Sequence, residues 1–421
     1  MRHIRRHAIL LIITLMIIIH AIDRLAIVIL LEDIKHDLDL SDAQLGFLSG
    51  FAFVALYVLA GIPMAYLSDR SNRSKLIGSA LMVIGGMTML CGMAQNFVQL
   101  AFARCGLGIS ASPCVPAAHS IIADIYPPSQ RTTALSITEC GFFVGSFIGL
   151  WVCGWIATDY GWRAAFIAVG ILPILLSFVV FTFMRDPVRT TKSQKEIKLG
   201  FKESLGTIIG VPAVRWYVVG SSLAVFALAA MMTWLPTLMI RSYDMTRTEA
   251  GGLIGAINGV GGLVVTILVG VMADRLARRD NRWNLWIPAS LFALSAPFAA
   301  LTFLSDTPTS ILIYFAISAS LVPACSAPII SYSQQIMPSN VHAMITALIF
   351  LMLNIVGFGA GPLIVGAFSD FLTPIVGQQE ALQQALLYLA APALFVGGCF
   401  VAVGSYLSVN TKAAGAVTQA G

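Results

Sequence analysis

Long apolar segments alternate with short polar segments along the whole chain. A helix needs about 20 apolar residues to cross a lipid bilayer, and twelve segments are long enough. We number them spans one to twelve in chain order. They are predicted at roughly 8–31, 43–67, 76–95, 98–124, 131–156, 163–184, 214–240, 249–273, 284–304, 309–336, 341–369 and 383–408. The pattern therefore predicts an all-α membrane protein with twelve transmembrane helices.

A short charged motif occurs twice, each time where an apolar span ends. The pattern Asp-Arg-x-x-Arg follows span two and returns after span eight. An aspartate that pairs with a cation in one conformation and loses it in another would form a gating latch. The alternative is that the cations only enforce the membrane topology. The six predicted gating residues are Asp69, Arg70, Arg73, Asp274, Arg275 and Arg278.

The recurrence of this motif indicates two related halves. Spans five and eleven also open alike, since Pro128 and Pro338 are followed at the same offset by Gly149 and Gly359. Parallel repeats of six spans are typical of large transporters, so we predict two pseudo-symmetric six-helix bundles. The linker between them forms either a short interfacial helix or a plain charged connection. The predicted divisions are an N-terminal bundle at 1–184, a cytoplasmic linker at 185–213, a C-terminal bundle at 214–409 and a cytoplasmic tail at 410–421.

The composition supports a lipid environment and excludes other classes of protein. The chain is 58% hydrophobic and 11% charged, whereas a soluble protein carries about 25% charged residues. The net charge of +5 comes from cations in short loops between apolar spans, which does not indicate nucleic-acid binding. All seven cysteines lie in apolar spans without metal-ligand spacing. We therefore expect no disulfide framework, no metal and no cofactor.

The distribution of lysine and arginine sets the predicted orientation. If the N-terminus is cytoplasmic, most of the 25 basic residues fall in cytoplasmic loops, and the first loop on the opposite side is acidic. The positive-inside rule then places both termini in the cytoplasm. We predict a multi-pass protein of the inner, or plasma, membrane that acts as a monomer.

Four charged residues lie inside the predicted spans of the first half, where a charge is costly and is therefore a candidate for function. They are Asp23, Arg24, Arg104 and Glu139. Asp23 in span one and Arg104 in span four are predicted at similar depth. Asp23 would be a protonatable switch, paired with Arg24 or Arg104 when it is ionised. The alternative is a static ion pair that locks two helices together.

A second candidate for proton transfer is formed by His119 and Glu139, near the cytoplasmic ends of spans four and five. A histidine beside a carboxylate can relay protons, and the alternative is a satisfied structural pair. The spans of the second half offer neutral polar and aromatic groups instead. The predicted substrate contacts are Arg24, Arg104, Trp234, Asn258, Tyr332, Gln335 and Asn354.

Span five carries glycines at regular intervals. Gly141, Gly145 and Gly149 lie four residues apart, so they share one face of a helix. Such a stripe of small residues predicts that another helix approaches closely.

These features resemble the major facilitator superfamily over nearly the whole chain. The two Asp-Arg-x-x-Arg loops, Arg104 with Gly108 four residues later, and the twelve-span repeat carry the resemblance. Within the superfamily the chain is most similar to the bacterial spinster-like branch. The stretches that carry this similarity are Asp23-Arg24, 40–46, 66–73, 116–120 and 159–163.

The resemblance implies alternating access coupled to protons, with Asp23 and Arg24 as the coupling pair and Arg104 as a cation in the cavity. Animal relatives in this branch export lysolipids such as sphingosine-1-phosphate. One position departs from the branch, whose usual glutamate seven residues after the span-four arginine is Ala111 here. Glu139 in span five is a candidate substitute.

Residues and resemblance together predict a secondary active transporter for an amphiphilic or organic anion, such as a lysolipid. The alternatives are a proton symporter for sugar acids or aromatic acids, as in a second branch that shares the Asp-Arg pair of span one, and an efflux antiporter for drugs or metabolites. The expected partners are a small-molecule substrate, protons and the bilayer. An enzyme is not expected, because no nucleophile–base or metal constellation accompanies the histidines.

Overall fold

The computed structural model describes residues 2–184, 186, 201–338 and 341–418, whose regular elements are all helical. Eleven helices in these ranges are long and apolar enough to cross a membrane. One of them, Thr133–Phe183, has 51 residues. Gly161 divides it with a φ of 82°, a left-handed conformation that glycine adopts readily. The eleven helices therefore account for the twelve predicted spans.

The bounds of the helices follow the predicted spans closely. In the first half they are Arg2–Leu38 (span one), Asp42–Gly46, Phe47–Phe51 and Ala52–Arg70 (span two), Arg73–Met93 (span three), Phe97–Ala111 and Cys114–Ile125 (span four), and Pro128–Phe183 (spans five and six). A short helix, Phe201–Gly210, comes next. In the second half they are Pro212–Tyr243 (span seven), Arg247–Ala256, Ile257–Gly261 and Gly262–Ala277 (span eight), Trp283–Leu304 (span nine), Pro308–Leu321, Pro323–Cys325 and Ser326–Ile336 (span ten), His342–Met352, Leu353–Ala360 and Gly361–Val376 (span eleven), and Gln378–Thr418 (span twelve).

Irregular turns recur in equivalent spans of the two halves. Spans two and eight each begin with a capping box and continue through a π-helical turn, at Phe47–Phe51 and Ile257–Gly261. Spans four and ten are interrupted near Pro113 and Pro323, because a proline lacks the N–H that continues a helix. The structure thus repeats its local defects as well as its helices.

The glycine stripe of span five packs against span one, which confirms the predicted close approach. A methyl group on Gly145 would lie 2.4 Å from the carbonyl oxygen of Ile18, a distance that no Cβ tolerates. The second half repeats this contact between spans eleven and seven. There a methyl group on Gly361 would lie 2.7 Å from the carbonyl oxygen of Phe226.

The helices fall into two compact units. The first contains Met1–Ser193 and Thr233–Val260, and the second contains Gln194–Met232 and Gly261–Gly421. Within the second unit, Phe201–Gly210 packs against span eleven and buries Ile208 completely. Most of the predicted linker before this helix lies outside the described residues. The predicted domain boundaries remain predictions.

Large apolar side chains cover much of the exposed surface. Phe102, Phe178 and Tyr406, for example, are 68%, 58% and 69% exposed. Water-exposed surfaces rarely carry contiguous apolar patches on this scale, so these side chains face lipid. The chain is an integral membrane protein with multiple spans. Following the predicted orientation, we call the side on which span one begins the inner side and the side on which it ends the outer side.

Candidate functional site

Asp23 lies inside the first unit with only 2% of its surface exposed. Thr88 of span three donates its hydroxyl proton to the Asp23 carboxylate. The same hydroxyl lies 2.9 Å from the carbonyl oxygen of Ile84, and its single proton can serve one acceptor at a time. A protonated Asp23 can instead donate to Thr88, whose proton then turns to Ile84. In this arrangement the buried carboxyl group of Asp23 has a hydrogen-bond partner whether it is ionised or protonated.

Arg104 of span four is the fully buried cation of the same region. Its Nε donates to the carbonyl oxygen of Leu48, at 3.2 Å, within the π-helical turn of span two. The hydrogen bonds that the structure gives Asp23 and Arg104 go to other residues, Thr88 and Leu48. Among the described residues, neither Nη1 nor Nη2 of Arg104 has a hydrogen-bond partner. The guanidinium therefore presents a planar fork that suits a carboxylate or a phosphate.

Phe53 of span two lies beside both arginines of this site. The Cζ atoms of Arg24 and Arg104 each lie 5.6 Å from the centroid of its ring, within the range of about 6 Å for a cation–π contact. The ring of His20, one turn before Arg24, lies 6.4 Å from the same ring. Gly108 brings span four close, since a methyl group there would lie 2.2 Å from the carbonyl oxygen of Phe53.

His119 and Glu139 meet as a pair in the structure. The Nε2 atom of His119 lies 3.3 Å from Oε1 of Glu139. Their side chains are 43% and 60% exposed, unlike the buried Asp23. Proton relay by this pair remains a prediction.

The candidates of the second half use their polar atoms locally. Asn354 donates to a backbone carbonyl one turn earlier at 2.8 Å, and Gln335 donates to a serine one turn earlier at 3.1 Å. Trp234 and Tyr332 are 0% and 2% exposed, and Asn258 lies in the π-helical turn of span eight. Their contacts with a substrate remain predictions.

The first Asp-Arg-x-x-Arg motif is anchored on the inner side by Arg73, which is 2% exposed. Arg73 donates to Asp124 at 2.6 Å, to Ser120 at 2.8 Å and, through Nε, to Asp186 at 2.9 Å. The arginine therefore ties the start of span three to the end of span four and to the segment after span six. All of these contacts lie within the first unit.

Among the described residues, the other members of the two motifs are not held in buried ion pairs as Arg73 is. Arg70 stacks on the ring of Tyr66, with its Cζ 4.1 Å from the centroid, whereas the side chain of Asp69 lies outside the described part of the chain. The three charged residues of the second motif are exposed, and no ion pair within the described ranges involves them. The latch role of both motifs remains a prediction. The exposed residues are Asp274, Arg275 and Arg278.

Sequence reasoning missed an ion-pair cluster at the outer side of the first unit. Arg241 of span seven, whose side chain is 5% exposed, lies 2.9 Å from Glu32 and 3.0 Å from Asp42. Lys35 lies 2.5 Å from the same Asp42. We call these four residues the outer cluster. The sequence did contain a signal for this cluster, because the first outer loop is acidic and the outer side carries few basic residues to pair with it.

A close helix contact lies beside the outer cluster. Arg247, at the start of span eight, pairs with Asp33. A methyl group on Gly251 would lie 2.3 Å from the carbonyl oxygen of Leu150, and one on Gly154 would lie 2.4 Å from that of Arg247. The outer parts of spans five and eight are therefore in direct backbone contact. These contacts hold the outer ends of spans five and eight together within the first unit.

Replacement of Arg241 by glutamine should open the outer side, because it leaves Glu32 and Asp42 buried without their shared cation. Breaking a buried pair costs 3–5 kcal/mol, so we expect amide hydrogen exchange in Arg247–Ala256 to accelerate at least about tenfold. Arg163→Gln is the matched control, since Arg163 pairs with Asp37 on the same side but is 41% exposed. Equal exchange in both variants would contradict a closing role for the outer cluster.

The chain resembles known proteins over much of its length. The family model described as Major Facilitator Superfamily matches residues 13–362. An MFS-type efflux pump of Mycolicibacterium smegmatis is 32% identical over 378 residues, which cover 89% of this chain and 87% of the pump. The cis,cis-muconate transport protein of Acinetobacter baylyi is 25% identical over 266 residues, which cover 59% of this chain and 62% of that protein.

A solved structure has the same fold. It is a bacterial homologue of the human lysosomal transporter Spinster in an inward-facing and unoccupied conformation, with a TM-score of 0.81, 23% identity and coverage of 96% of both chains. The predicted fold and the predicted spinster-like resemblance are confirmed. These relatives are transporters and not enzymes, as the sequence predicted. The chain belongs to the Major Facilitator Superfamily of membrane transporters.

Proposed function

We propose that this transporter carries an organic or amphiphilic anion by alternating access, in a cycle coupled to protons. The observation that carries the proposal is the environment of Arg104. It is fully buried, and its Nη1 and Nη2 atoms have no hydrogen-bond partner among the described residues. A buried charge is costly unless it is paired. An anionic ligand would supply the missing partner of this guanidinium.

Asp23 supplies the link to protons. When Asp23 is ionised, its negative charge offsets the positive charge of Arg104, because both groups are buried in the first unit and charges interact strongly there. When Asp23 is protonated, the charge of Arg104 is left for an anion. Proton binding therefore raises anion affinity, and by linkage anion binding raises proton affinity to the same extent. Joint binding of a proton and an anion is what symport requires.

The chemical class of the substrate follows from the Arg104 fork. Carboxylates and phosphates both accept two parallel hydrogen bonds from a guanidinium. The muconate transport protein among the relatives supports a carboxylate. A sphingosine-1-phosphate transporter of Danio rerio, which is 25% identical to this chain over 434 residues, supports an amphiphile. The efflux pump supports a second candidate, an antiporter that exports its substrate. In an antiporter the proton and the anion would occupy the site in turn.

The proposed setting is the inner, or plasma, membrane with both termini in the cytoplasm. Most basic residues of the chain lie on the inner side of the spans under this orientation. The Arg73 contacts and the outer cluster then lie at opposite faces of the first unit.

Transport by the purified protein in proteoliposomes tests the proposal. The probes are labelled cis,cis-muconate, 4-hydroxybenzoate and sphingosine-1-phosphate, with glucose as a neutral control. We expect saturable uptake of at least one anion that depends on an imposed pH gradient. Anion uptake driven by protons that move inward indicates symport, and anion uptake driven by protons that move outward indicates antiport. If the flux of every probe is linear in concentration and indifferent to pH, the proposal is wrong.

A further inference from the structure

We propose that Phe53 is a positioning residue of the anion site, whose ring holds the guanidinium groups of Arg24 and Arg104 for a shared ligand. The inference rests on the proposed function, because anion affinity is one of its readouts. Phe53 has no charged or polar side-chain group, so it cannot itself bind the proton or pair with the anion. Its contribution is to place two cations that a substrate meets.

The ring of Phe53 reduces the electrostatic repulsion between the two guanidinium groups of the site. The Cζ atoms of Arg24 and Arg104 lie 5.6 Å from one centroid, so they are no farther apart than twice that distance. Two like charges repel more strongly in a protein interior than in water. The negative face of an aromatic ring attracts a cation, and a ring shared by both arginines offsets part of that repulsion.

An aromatic ring also leaves the charge of Arg104 available to an anion. A carboxylate in the place of Phe53 would neutralise one guanidinium and would compete with an anionic substrate. The ring holds the cations without accepting their strongest hydrogen bonds. Arg104 illustrates this, because its two Nη atoms remain without hydrogen bonds to described residues. Phe53 therefore combines placement of the arginines with an open site for an anion.

The surrounding structure fixes the ring. Phe53 is 2% exposed, and its ring stacks on that of Tyr57 with centroids 5.7 Å apart and planes 16° apart. Its backbone lies against span four, where Gly108 leaves no room for a side chain. The π-helical turn of span two ends two residues earlier. The position of the ring is thus determined by two helices rather than by the arginines.

Two substitutions separate this role from that of an apolar filler. Phe53→Leu keeps an apolar side chain but removes the ring, whereas Phe53→Tyr keeps the ring. Phe51→Leu is the matched control, because Phe51 lies in the same span and contacts the ring of Phe47, 6.0 Å away. A filler role predicts similar behaviour of all three variants.

The first measurement is transport of labelled cis,cis-muconate, 4-hydroxybenzoate and sphingosine-1-phosphate in proteoliposomes. Loss of two cation–π contacts should raise the KM of the transported anion roughly tenfold in Phe53→Leu. The kcat should change little, because the transport helices stay packed. Phe53→Tyr and Phe51→Leu should keep the KM of the unaltered protein. An unchanged KM in Phe53→Leu would overturn the inference while the proposed function stands.

The second measurement does not depend on transport. Phenylglyoxal, an arginine-specific reagent, should modify Arg24 faster in Phe53→Leu than in Phe51→Leu, as followed by mass spectrometry of the purified protein. Faster modification supports the positioning role even if no probe is transported, in which case the proposed function alone fails. Equal rates in the two variants would overturn the positioning role.

Discussion

Replacement of Arg104 by glutamine should weaken binding of the transported anion by about 100-fold or more, since truncating one partner of a buried charge pair costs 2–5 kcal/mol or more. Glutamine retains hydrogen-bonding capacity but not the charge or the fork. The measurement is the KM and the dissociation constant of the best probe in proteoliposomes. Arg104→Lys should have an intermediate effect, with anion affinity reduced about tenfold, because lysine keeps the charge but not the two-nitrogen geometry of the guanidinium.

Misfolding would be the trivial cause of such a loss, and thermal unfolding of the purified protein excludes it. Arg104 is fully buried, and its Nη atoms make no hydrogen bond within the described ranges. Burying a charge without hydrogen bonds is costly, and the glutamine variant does not carry that cost. We therefore expect Arg104→Gln to unfold at the same temperature as the unaltered protein, or higher. A stable variant with normal affinity would show that the anion binds elsewhere.

Replacement of Asp23 by asparagine should separate anion exchange from proton coupling. Asparagine has nearly the shape of aspartate, can still hydrogen-bond to Thr88 and is neutral at every pH, like a protonated Asp23. Exchange of anion across the membrane should persist, and anion affinity should no longer depend on pH. Accumulation should be lost, whereas one coupled proton would sustain about tenfold accumulation for a gradient of one pH unit.

The matched control for this experiment is Glu139→Gln, which neutralises the other carboxylate predicted inside a span of the first half. The Glu139 side chain is 60% exposed and pairs with His119, so we expect its loss to leave gradient-driven accumulation in place. If Glu139→Gln abolishes accumulation and Asp23→Asn keeps it, the exposed pair carries the protons. That result would also support Glu139 as the substitute for the carboxylate missing at Ala111.

The helices and the charged residues of this site were predictable from the sequence for simple physical reasons. Lipid requires long uninterrupted apolar segments, so hydropathy alone located the spans. A charge inside such a segment is costly, which singled out Asp23 and Arg104. The glycine stripe of span five likewise predicted its contact, because only small residues allow two backbones to approach so closely.

The remaining parts of the site depend on tertiary contacts that the sequence does not reveal. Thr88 and Phe53 are residue types that are common in any membrane helix. They matter here because one faces Asp23 and the other faces two arginines. The Leu48 carbonyl that holds Arg104 lies in a π-helical turn, which no residue pattern marked. Arg241 was visible in the sequence only as a loop-end cation, because its carboxylate partners lie about 200 residues earlier in the chain.

We propose that this transporter moves a proton and an anion through one site built on Asp23 and Arg104. Simultaneous recording of both fluxes tests it most directly, with a pH-sensitive dye inside the liposomes and a labelled anion outside. We predict that addition of the transported anion drives a proton flux in fixed proportion to the anion flux, and that Asp23→Asn abolishes the proton flux while anion exchange continues. Anion transport without any proton flux in the unaltered protein would contradict the claim.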